Sequence, residues 1–332
     1  MSDILNVKNL QTVFHTPKGD VKAIRGINIS ISQGEILGIV GESGSGKSVC
    51  MKSVMRILPS TAEITADEIS YKGKNILFQT EDELRKYRGK EMAMIFQDPM
   101  TSLNPLKKIG KTLIEVIIRH KKCSKKEAYD IAINMLKKVG ITNPKMRMKR
   151  YPHEFSGGMR QRVLIAMALC CEPSLLIADE PTTALDVTIQ AQILELLKEI
   201  NKDRNMSIIL ISHDMGVMAS TCTRVAVMYG GIIVEEGTTE EIFNSAKHPY
   251  TKSLLESIPD INKSRHTRLK TIEGAPPSLS KMPKGCPFVD RCKYKFEKCK
   301  NELPKYIVFS NTQKAACFLA GKFEEGVDKD GK

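Results

Sequence analysis

The chain has 332 residues, 41% hydrophobic and 27% charged, and 51 Lys and Arg against 38 Asp and Glu give a formal net charge of +13. This length predicts one large domain with an appendage, or two domains. No uninterrupted apolar run reaches the ~18–20 residues of a membrane-spanning helix, and the polar, acidic N-terminal residues differ from a signal peptide, so we expect a cytosolic chain. The positive charge calls for an acidic partner: nucleotide, nucleic acid or anionic lipid.

The first third of the chain predicts short strands on either side of one glycine-rich loop. Residues 1–35 alternate apolar and polar side chains, which indicates two or three antiparallel strands. The run GEILGIV (34–40) predicts a buried strand, and SVCMKSVMRIL (48–58) predicts a helix that ends before Pro59. Residues 64–96 return to short pieces typical of strands.

The loop GESGSGKS (41–48) has the spacing of a phosphate-binding loop. Glycines at its first, fourth and sixth positions leave room for backbone N–H groups to surround phosphates, Lys47 adds a positive charge, and the Ser48 hydroxyl can bind Mg²⁺. The N-terminus of the following helix adds its positive dipole end. The alternative is a glycine-rich turn with a chance lysine. We predict that the nucleotide phosphates contact Gly41, Ser43, Gly44, Ser45, Gly46, Lys47, Ser48 and Val49.

Beyond residue 100 the pattern changes to helices and then to strands that end in polar residues. Residues 103–171 have helical periodicity, and SLLIADE and SIILISHD are apolar runs that end in acidic residues or histidine. Strands that alternate with helices predict a parallel α/β sheet with its ligand at the carboxyl ends of the strands. At those ends Asp179 can hold Mg²⁺, Glu180 can polarise the attacking water, and His213 can donate to the γ-phosphate.

A second glycine pair suggests a second anion site. Ser156 has the character of a helix N-cap, and Gly157 and Gly158 open that helix, about 110 residues after the first glycine loop. One nucleotide rarely needs two helix N-termini from one chain. We therefore expect each copy to lend this loop to the nucleotide held by another copy.

Six motifs in this order carry a family resemblance: GESGSGKS, IFQDP, FSGGM, LLIADEP, TTALD and ISHD resemble the Walker A, Q-loop, signature, Walker B, D-loop and H-loop of an ABC-type ATPase. HPYTKSLLESIP, EGAPPSL and GCPFVDRC extend the likeness, to about residue 320, to the ATP-binding subunits of oligopeptide/dipeptide (peptide/nickel) importers. The resemblance implies an α/β ABC-type P-loop domain over 1–236, with a parallel-sheet core, an antiparallel β subdomain and a helical subdomain over about 100–171. A cysteine-containing extension over 237–332 follows.

The resemblance also implies the contacts of the nucleotide. Phe14 would stack on adenine, and Lys47 with the backbone of 41–48 would hold the phosphates. Ser48, Gln97 and Asp179 would serve Mg²⁺.

The catalytic and dimer roles follow from the same likeness. Glu180 would act as the general base and His213 as the γ-phosphate switch. Residues Ser156, Gly157 and Gly158 would bind the γ-phosphate across a dimer interface that Asp186 completes. The second ATP-binding subunit would be a different chain or a copy of this one.

The partners implied by the resemblance are two transmembrane permease subunits and, indirectly, an external substrate-binding protein. The chain would lie peripherally on the cytoplasmic face of the membrane and power peptide uptake by ATP-driven dimer closure, with no nucleic acid expected. The alternative is a soluble ABC ATPase that acts on nucleic acid, which the charge favours. Such proteins carry long insertions, but only about 108 residues separate Lys47 from Ser156.

Nine cysteines in a cytosolic chain argue against a disulfide framework. Five are scattered among apolar neighbours and are expected to be buried or inert: Cys50, Cys123, Cys170, Cys171 and Cys222. Four late cysteines have the spacing C-x5-C-x6-C-x17-C, which lacks the close pairs of zinc ribbons. The family resemblance implies a 4Fe-4S cluster on Cys286, Cys292, Cys299 and Cys317, with zinc or free thiols as alternatives.

Overall fold

The computed structural model describes residues 3–98, 102–182, 185–258, 271–320 and 322. Its strands are β1 (Asp3–Thr16), β2 (Gly19–Ser32), β3 (Ile36–Val40), β4 (Ala62–Thr65), β5 (Glu68–Tyr71), β6 (Lys74–Asn75), β7 (Met92–Ile95), β8 (Leu175–Asp179), β9 (Ser207–Ser212), β10 (Arg224–Tyr229), β11 (Ile232–Thr238), β12 (Ile307–Val308) and β13 (Lys314–Ala315). Its helices are α1 (Lys47–Val54), α2 (Glu81–Tyr87), α3 (Ile109–Lys121), α4 (Lys125–Lys138), α5 (Pro144–Arg147), α6 (Gly157–Leu169), α7 (Val187–Arg204), α8 (Met215–Thr221), α9 (Thr239–Asn244), α10 (Pro249–Glu256) and α11 (Glu297–Asn301).

The described residues fall into two compact units. The first contains residues within Met1–Ile4, Ile31–Ile36 and Lys72–Ile211, and the second contains residues within Leu5–Ser30, Leu37–Tyr71 and Ser212–Lys332. Both units draw on separate stretches of the chain. The division after residue 236 and the helical subdomain of about 100–171 stay predictions.

The first unit is built on parallel strands. β7 pairs with β8 from Met92↔Leu175 to Ile95↔Ala178, and β8 pairs with β9 up to Asp179↔Ile211. Every residue of β8 and β9 is buried, as expected for parallel strands whose two faces are both covered. The predicted parallel α/β core is confirmed, and the carboxyl end of β8 lies at Asp179.

The helical region of the first unit follows the predicted periodicity. In α3, α4 and α6 the buried positions recur at helical spacing, for example Leu113 and Ile117 in α3. α4 begins with a capping box, in which Ser124 and Glu127 each bind the other's backbone N–H. Among the described residues, no helix combines the length and the apolar character needed to cross a bilayer.

The second unit combines two kinds of strand pairing. β1 pairs antiparallel with β4 and β5, in the predicted N-terminal antiparallel region. β3, whose five residues are all buried, pairs in parallel with β10. β11 then runs antiparallel to β10, and the late strand β13 pairs antiparallel with β11. The C-terminal extension therefore contributes strands of its own.

One helix departs from the prediction of short strands over 64–96. α2 (Glu81–Tyr87) begins at a Thr80–Glu83 capping box and has acidic residues in its first turn and basic residues in its last. Leu84 is its one buried residue. The pattern contains no apolar periodicity to reveal this helix, so its capping signal, rather than hydrophobicity, identifies it.

Candidate nucleotide-binding site

The loop 41–48 joins the buried strand β3 to α1, and two of its glycines are required by close packing. A Cβ on Gly41 would lie 2.1 Å from the Met228 carbonyl oxygen, and one on Gly46 would lie 2.9 Å from the Ala23 carbonyl oxygen. Gly46 is also the N-cap of α1, with φ of 101°. These two glycines let the loop pack tightly against neighbouring backbone. This packing fixes the position at which α1 begins.

Lys47 is buried, and its ammonium group folds over its own loop. Its Nζ donates to the Gly41 carbonyl at 2.6 Å and to the Glu42 carbonyl at 3.0 Å. The lysine thus places a positive charge against the loop from which α1 begins. A loop of this shape is a preformed site for an anion.

Glu42 fastens the same loop to two residues that sequence reasoning missed. Its carboxylate accepts two hydrogen bonds from the Arg291 guanidinium, at 2.6 and 3.1 Å, and its backbone N–H donates to the Tyr250 hydroxyl at 2.9 Å. The HPY pattern that contains Tyr250 was visible in the sequence, but its contact with the loop was not.

The proposed Mg²⁺ and water ligands of the first unit lie at the ends of neighbouring strands. Gln97 follows β7, and Asp179 and Glu180 follow one another at the end of β8. The Gln97 Nε2 donates to the Glu180 carboxylate at 2.9 Å, so the structure brings these two predicted residues into direct contact. Asp179 is fully buried.

Glu180 has an uncommon backbone conformation. Its φ is +46°, in the left-handed region that residues other than glycine rarely adopt. Its N–H donates to the Ile211 carbonyl at 3.0 Å. Such strain persists where surrounding structure enforces it, and it clusters at functional sites. The strand register therefore holds the Glu180 backbone at the position predicted for the catalytic base.

The second glycine pair opens α6, as predicted. Ser156 is the N-cap, and its Oγ accepts the Met159 N–H at 3.3 Å. A Cβ on Gly157 would meet nothing within 4 Å among the described residues, whereas one on Gly158 would meet Leu185 at 3.5 Å. Ser156 and Gly157 are exposed, so the loop presents bare backbone on the surface of its unit.

The structure also locates three further residues that the sequence predicted for the site: Asp186, His213 and Phe14. Asp186 is the N-cap of α7, and its Oδ1 accepts the Ile189 N–H at 2.9 Å. His213 follows β9 and is exposed. Phe14 is half-buried on β1, with Ala62 of β4 as its pairing partner. Residues 183 and 184 of the TTALD motif lie outside the described residues.

Ser48 and Val49 occupy the first turn of α1, and both are half-buried. The Val49 carbonyl accepts a hydrogen bond from the Ser53 hydroxyl at 2.7 Å. Ser43 and Gly44 are exposed at the tip of the loop, while Ser45 is buried.

The four late cysteines face one small cavity. Cys286, Cys292, Cys299 and Cys317 line it together with His248 and Phe288. Burial is the main cause that raises the pKa of Cys286 and of Cys317 to about 12, and the neighbouring cysteines contribute to both values. Within the described residues, no group of three or more His, Cys, Asp or Glu side chains is arranged to hold a metal ion. The donors thus converge as protonated thiols rather than as a finished ligand set.

A buried histidine and carboxylate support this cavity. Burial lowers the pKa of His248 to about 3, so the ring is neutral, and its Nδ1 accepts the Tyr250 N–H at 3.0 Å. Glu235 is fully buried, and its carboxylate accepts the backbone N–H groups of Lys247 and His248 at 2.6 and 2.9 Å. Burial raises the pKa of Glu235. Sequence reasoning missed Glu235 because a strand glutamate is usually exposed.

The scattered cysteines are buried with one exception. Cys50, Cys170, Cys171 and Cys222 are buried, and burial raises the pKa of Cys50 and of Cys222 to about 12. Cys123 is half-buried, so for this residue the expectation of an inert thiol stays a prediction. It lies just before the N-cap of α4, where the chain passes between two surface helices.

Comparisons with known proteins show the family to which this chain is similar. The family profile described as "ABC transporter" matches residues 24–183, and the one described as "Oligopeptide/dipeptide transporter, C-terminal region" matches 234–299. The dipeptide transport ATP-binding protein DppD of Bacillus subtilis is 50% identical over 96% of this chain and 95% of its own length. The oligopeptide transport ATP-binding protein OppD of Escherichia coli is 49% identical over 95% of this chain and 93% of its own.

A solved structure gives the same result for the fold. The dimeric ATP-binding cassette MJ0796, in a post-hydrolysis state bound to ADP and Pi, has a TM-score of 0.63 and 27% identity over 71% of this chain and 98% of its own. This structural match and the extent of the sequence identity together assign the chain to a family. The chain belongs to the ABC-transporter ATP-binding proteins that carry the oligopeptide/dipeptide transporter C-terminal region.

Proposed function

We propose that this chain is the ATP-hydrolysing subunit that powers uptake of oligopeptides or dipeptides through a membrane permease. Relatives named as dipeptide and oligopeptide transport ATP-binding proteins support this function because the identity extends through the C-terminal extension. Neither these relatives nor the family profiles point to the nucleic-acid alternative. Related small solutes such as nickel are the second possible cargo.

The observation that carries the proposal is the preformed loop 41–48. Lys47 donates to the Gly41 and Glu42 carbonyls and is also the first residue of α1, so a positive charge and a helix N-terminus occur together at the end of the loop. Both favour an anion such as phosphate. The same loop with Val49 would hold the phosphates of ATP, and Phe14 would stack on adenine.

The hydrolytic roles belong to the ends of β7, β8 and β9. Hydroxyl, amide and carboxylate oxygens are the donors that Mg²⁺ prefers, and Ser48, Gln97 and Asp179 supply one of each. The ion, when bound, would neutralise charge on the phosphates. Glu180 would accept the proton of the attacking water, and the contact with Gln97 fixes its carboxylate. His213 would sense the γ-phosphate.

The exposed loop Ser156–Gly158 would bind the γ-phosphate of the nucleotide on a second ATP-binding subunit. Its exposed backbone and open Gly157 support this role, since nothing within the described chain requires a glycine there. Asp186 would complete the interface. Closure of the two subunits around ATP and their release after hydrolysis would drive two permease subunits, fed by an external binding protein, from the cytoplasmic face of the membrane.

The Glu180→Gln variant tests the function. ATP turnover is expected to fall by about 10²–10⁴-fold, because the general base is lost, while ATP binding persists. The chain should be assayed with its permease in vesicles, where peptide uptake must fall in parallel. Glu199→Gln, an exposed change on α7, is the matched control and should leave both rates unchanged. Wild-type turnover in Glu180→Gln would contradict the assigned role.

We further propose that the four late cysteines hold a 4Fe-4S cluster. Their convergence on one cavity supports a shared group, and a cluster spreads its four ligands more widely than a single ion does. The raised pKa values mean that binding must release protons from the thiols.

Iron, zinc and acid-labile sulfide should be measured on protein prepared without oxygen. About four irons and four sulfides per chain, lost in Cys286→Ser, are expected for a tetranuclear cluster. Cys123→Ser, which lies in the first unit, is the control. Zinc alone, or no metal, would overturn the cluster while leaving the ATPase role intact.

A further inference from the structure

A cleft of about 350 Å³ lies beside the phosphate loop of the second unit, and the C-terminal extension forms one of its sides. Glu42–Ser45 of the loop line it, with Val21 of β2 and Tyr229 at the end of β10. The side contributed by the extension is the five-residue segment Pro276–Ser280, which we call the extension wall. Residues more than two hundred positions apart in the chain thus share one cleft.

The cleft has a polar side and an apolar side. On the polar side the Ser45 hydroxyl is buried and has no hydrogen-bond partner among the described residues. On the apolar side Val21 faces the cleft together with the prolines and Leu279 of the extension wall. Sites for small ligands combine an apolar lining with a few placed polar groups. The cleft therefore combines a hydrogen-bonding end beside the phosphate loop with an apolar end beside the extension wall.

Arg291 connects the two sides. Its guanidinium makes the paired contact with the Glu42 carboxylate, and it donates to the Tyr229 hydroxyl at 3.2 Å. The same group donates to the backbone carbonyls of Ile272 at 3.2 Å and Glu273 at 3.0 Å. Those two residues lead directly into the extension wall. One side chain therefore fixes both the loop and the approach to the wall.

The Arg291 contacts are sheltered from water. The side chain is 6% exposed and that of Glu42 is 24% exposed. A paired guanidinium–carboxylate contact has a defined plane and spacing that a lysine ammonium cannot reproduce. The separation between the extension wall and the phosphate loop therefore depends on this one residue.

We propose that the extension wall is part of the nucleotide site, where it contacts the base of a nucleoside triphosphate, and that Arg291 is the positioning residue that holds it there. This inference rests on the proposed ATP site of the loop 41–48. The phosphates would lie along the loop, and the base, stacked on Phe14 as proposed above, would in addition contact Val21 and Leu279. The extension would then contribute to nucleotide binding, in addition to any group held by its cysteines.

Binding of two probes by the full-length chain separates the wall from the loop. Dissociation constants for ATP and for inorganic tripolyphosphate should be measured by titration calorimetry. In Leu279→Ala, ATP binding is expected to weaken roughly tenfold, the lower end of what one lost apolar contact costs in a pocket, while tripolyphosphate binding stays unchanged. Leu303→Ala, a partly exposed leucine of the same extension, is the matched control and should bind both probes normally.

Arg291→Lys distinguishes positioning from a merely structural role. It keeps the charge but loses the paired geometry, so ATP affinity should fall while tripolyphosphate affinity, which does not depend on the wall, stays unchanged. Arg85→Lys, an exposed change on α2, is its control. Unchanged ATP affinity in both Leu279→Ala and Arg291→Lys, or equal losses for ATP and tripolyphosphate in Leu279→Ala, would overturn the wall.

Photolabelling provides a measurement that does not depend on variants. An 8-azido analogue of ATP, activated on the wild-type chain and mapped by mass spectrometry, should attach within 276–280. Labelling that competes with ATP but falls entirely outside this segment would overturn the wall alone. A wild-type chain that binds no ATP, or a Lys47→Ala variant that binds it normally, would overturn the proposed nucleotide site and the wall together.

Discussion

Two glycine-rich helix starts in this protein have opposite surroundings. In the loop 41–48, a side chain on Gly41 would collide with the Met228 carbonyl, whereas one on Gly157 would meet nothing within 4 Å in the described part of the chain. The fold of the chain itself therefore explains the first glycine. The described part of the fold gives no such reason for the second, which is consistent with its proposed contact with the nucleotide of a second subunit.

The largest expected effect on stability tests the buried side of this comparison. Gly41→Ala places a methyl group 2.1 Å from a backbone oxygen that cannot move aside cheaply. The free energy of unfolding should fall by about 1–3 kcal/mol or more, as for an overpacked core. Urea denaturation with the slope compared to wild type measures it. An unchanged midpoint would mean that the loop is less tightly held than its contacts indicate.

Gly44→Ala separates conformation from crowding within the same loop. Gly44 has φ of +78°, but a Cβ there would meet nothing within 4 Å among the described residues. Only the backbone penalty remains, so we expect a loss of about 1–2 kcal/mol. The same denaturation experiment applies. A loss as large as that of Gly41→Ala would show that crowding was not the cause in either case.

Ser156→Ala probes the cap of the exposed helix start. The Ser156 Oγ accepts the Met159 N–H at 3.3 Å, and loss of such a cap costs about 1 kcal/mol. Ser156→Asp retains a capping acceptor and should restore the stability. It should not restore ATP turnover, because a carboxylate would repel the γ-phosphate. Recovery of turnover in Ser156→Asp would remove the phosphate contact from this loop.

The smallest effect on stability is expected where the effect on activity is decisive. Gly157→Ala should leave the free energy of unfolding within ~1 kcal/mol of wild type or raise it, since alanine favours a helix. ATP turnover should nevertheless fall roughly tenfold or more, because the added methyl group would hold the γ-phosphate away from the backbone N–H groups of the loop, and one hydrogen bond to a charged group is worth about that much. Parallel denaturation and turnover assays decide this. Full activity would mean that Gly157 is needed neither for the stability of the fold nor for ATP turnover.

The sequence was most informative where the interactions are local. The loop 41–48 occupies eight consecutive residues, so its spacing alone identified both glycines and Lys47. Parallel strands place their carboxyl ends at one edge, and this rule predicted a ligand beside Asp179 and Glu180. Gln97 came from the family resemblance alone, and its hydrogen bond to Glu180 depends on the register of β7 against β8.

Contacts between distant parts of the chain could not be predicted in the same way. Arg291 and Glu42 are 249 positions apart, and each belongs to an ordinary charged surface pattern when considered alone. Glu235 illustrates the same difficulty, because its backbone partners lie twelve and thirteen residues later in a turn. Neither pair of residues belongs to a periodic pattern or a motif of fixed spacing in the sequence. Only the folded backbone brings the partners together.

The pairing of β13 with β11 has a consequence for the solubility of the chain. Without the extension, β11 would present a row of unpaired amide and carbonyl groups, the kind of edge on which other chains add strands and aggregate. β13 pairs with this edge at Glu235 and Glu236, and β12, a strand of only two residues, pairs with β13. Shortening the protein at the end of β11 would thus expose a sheet edge prone to aggregation rather than give a smaller ATPase. The extension protects the fold as well as contributing to it.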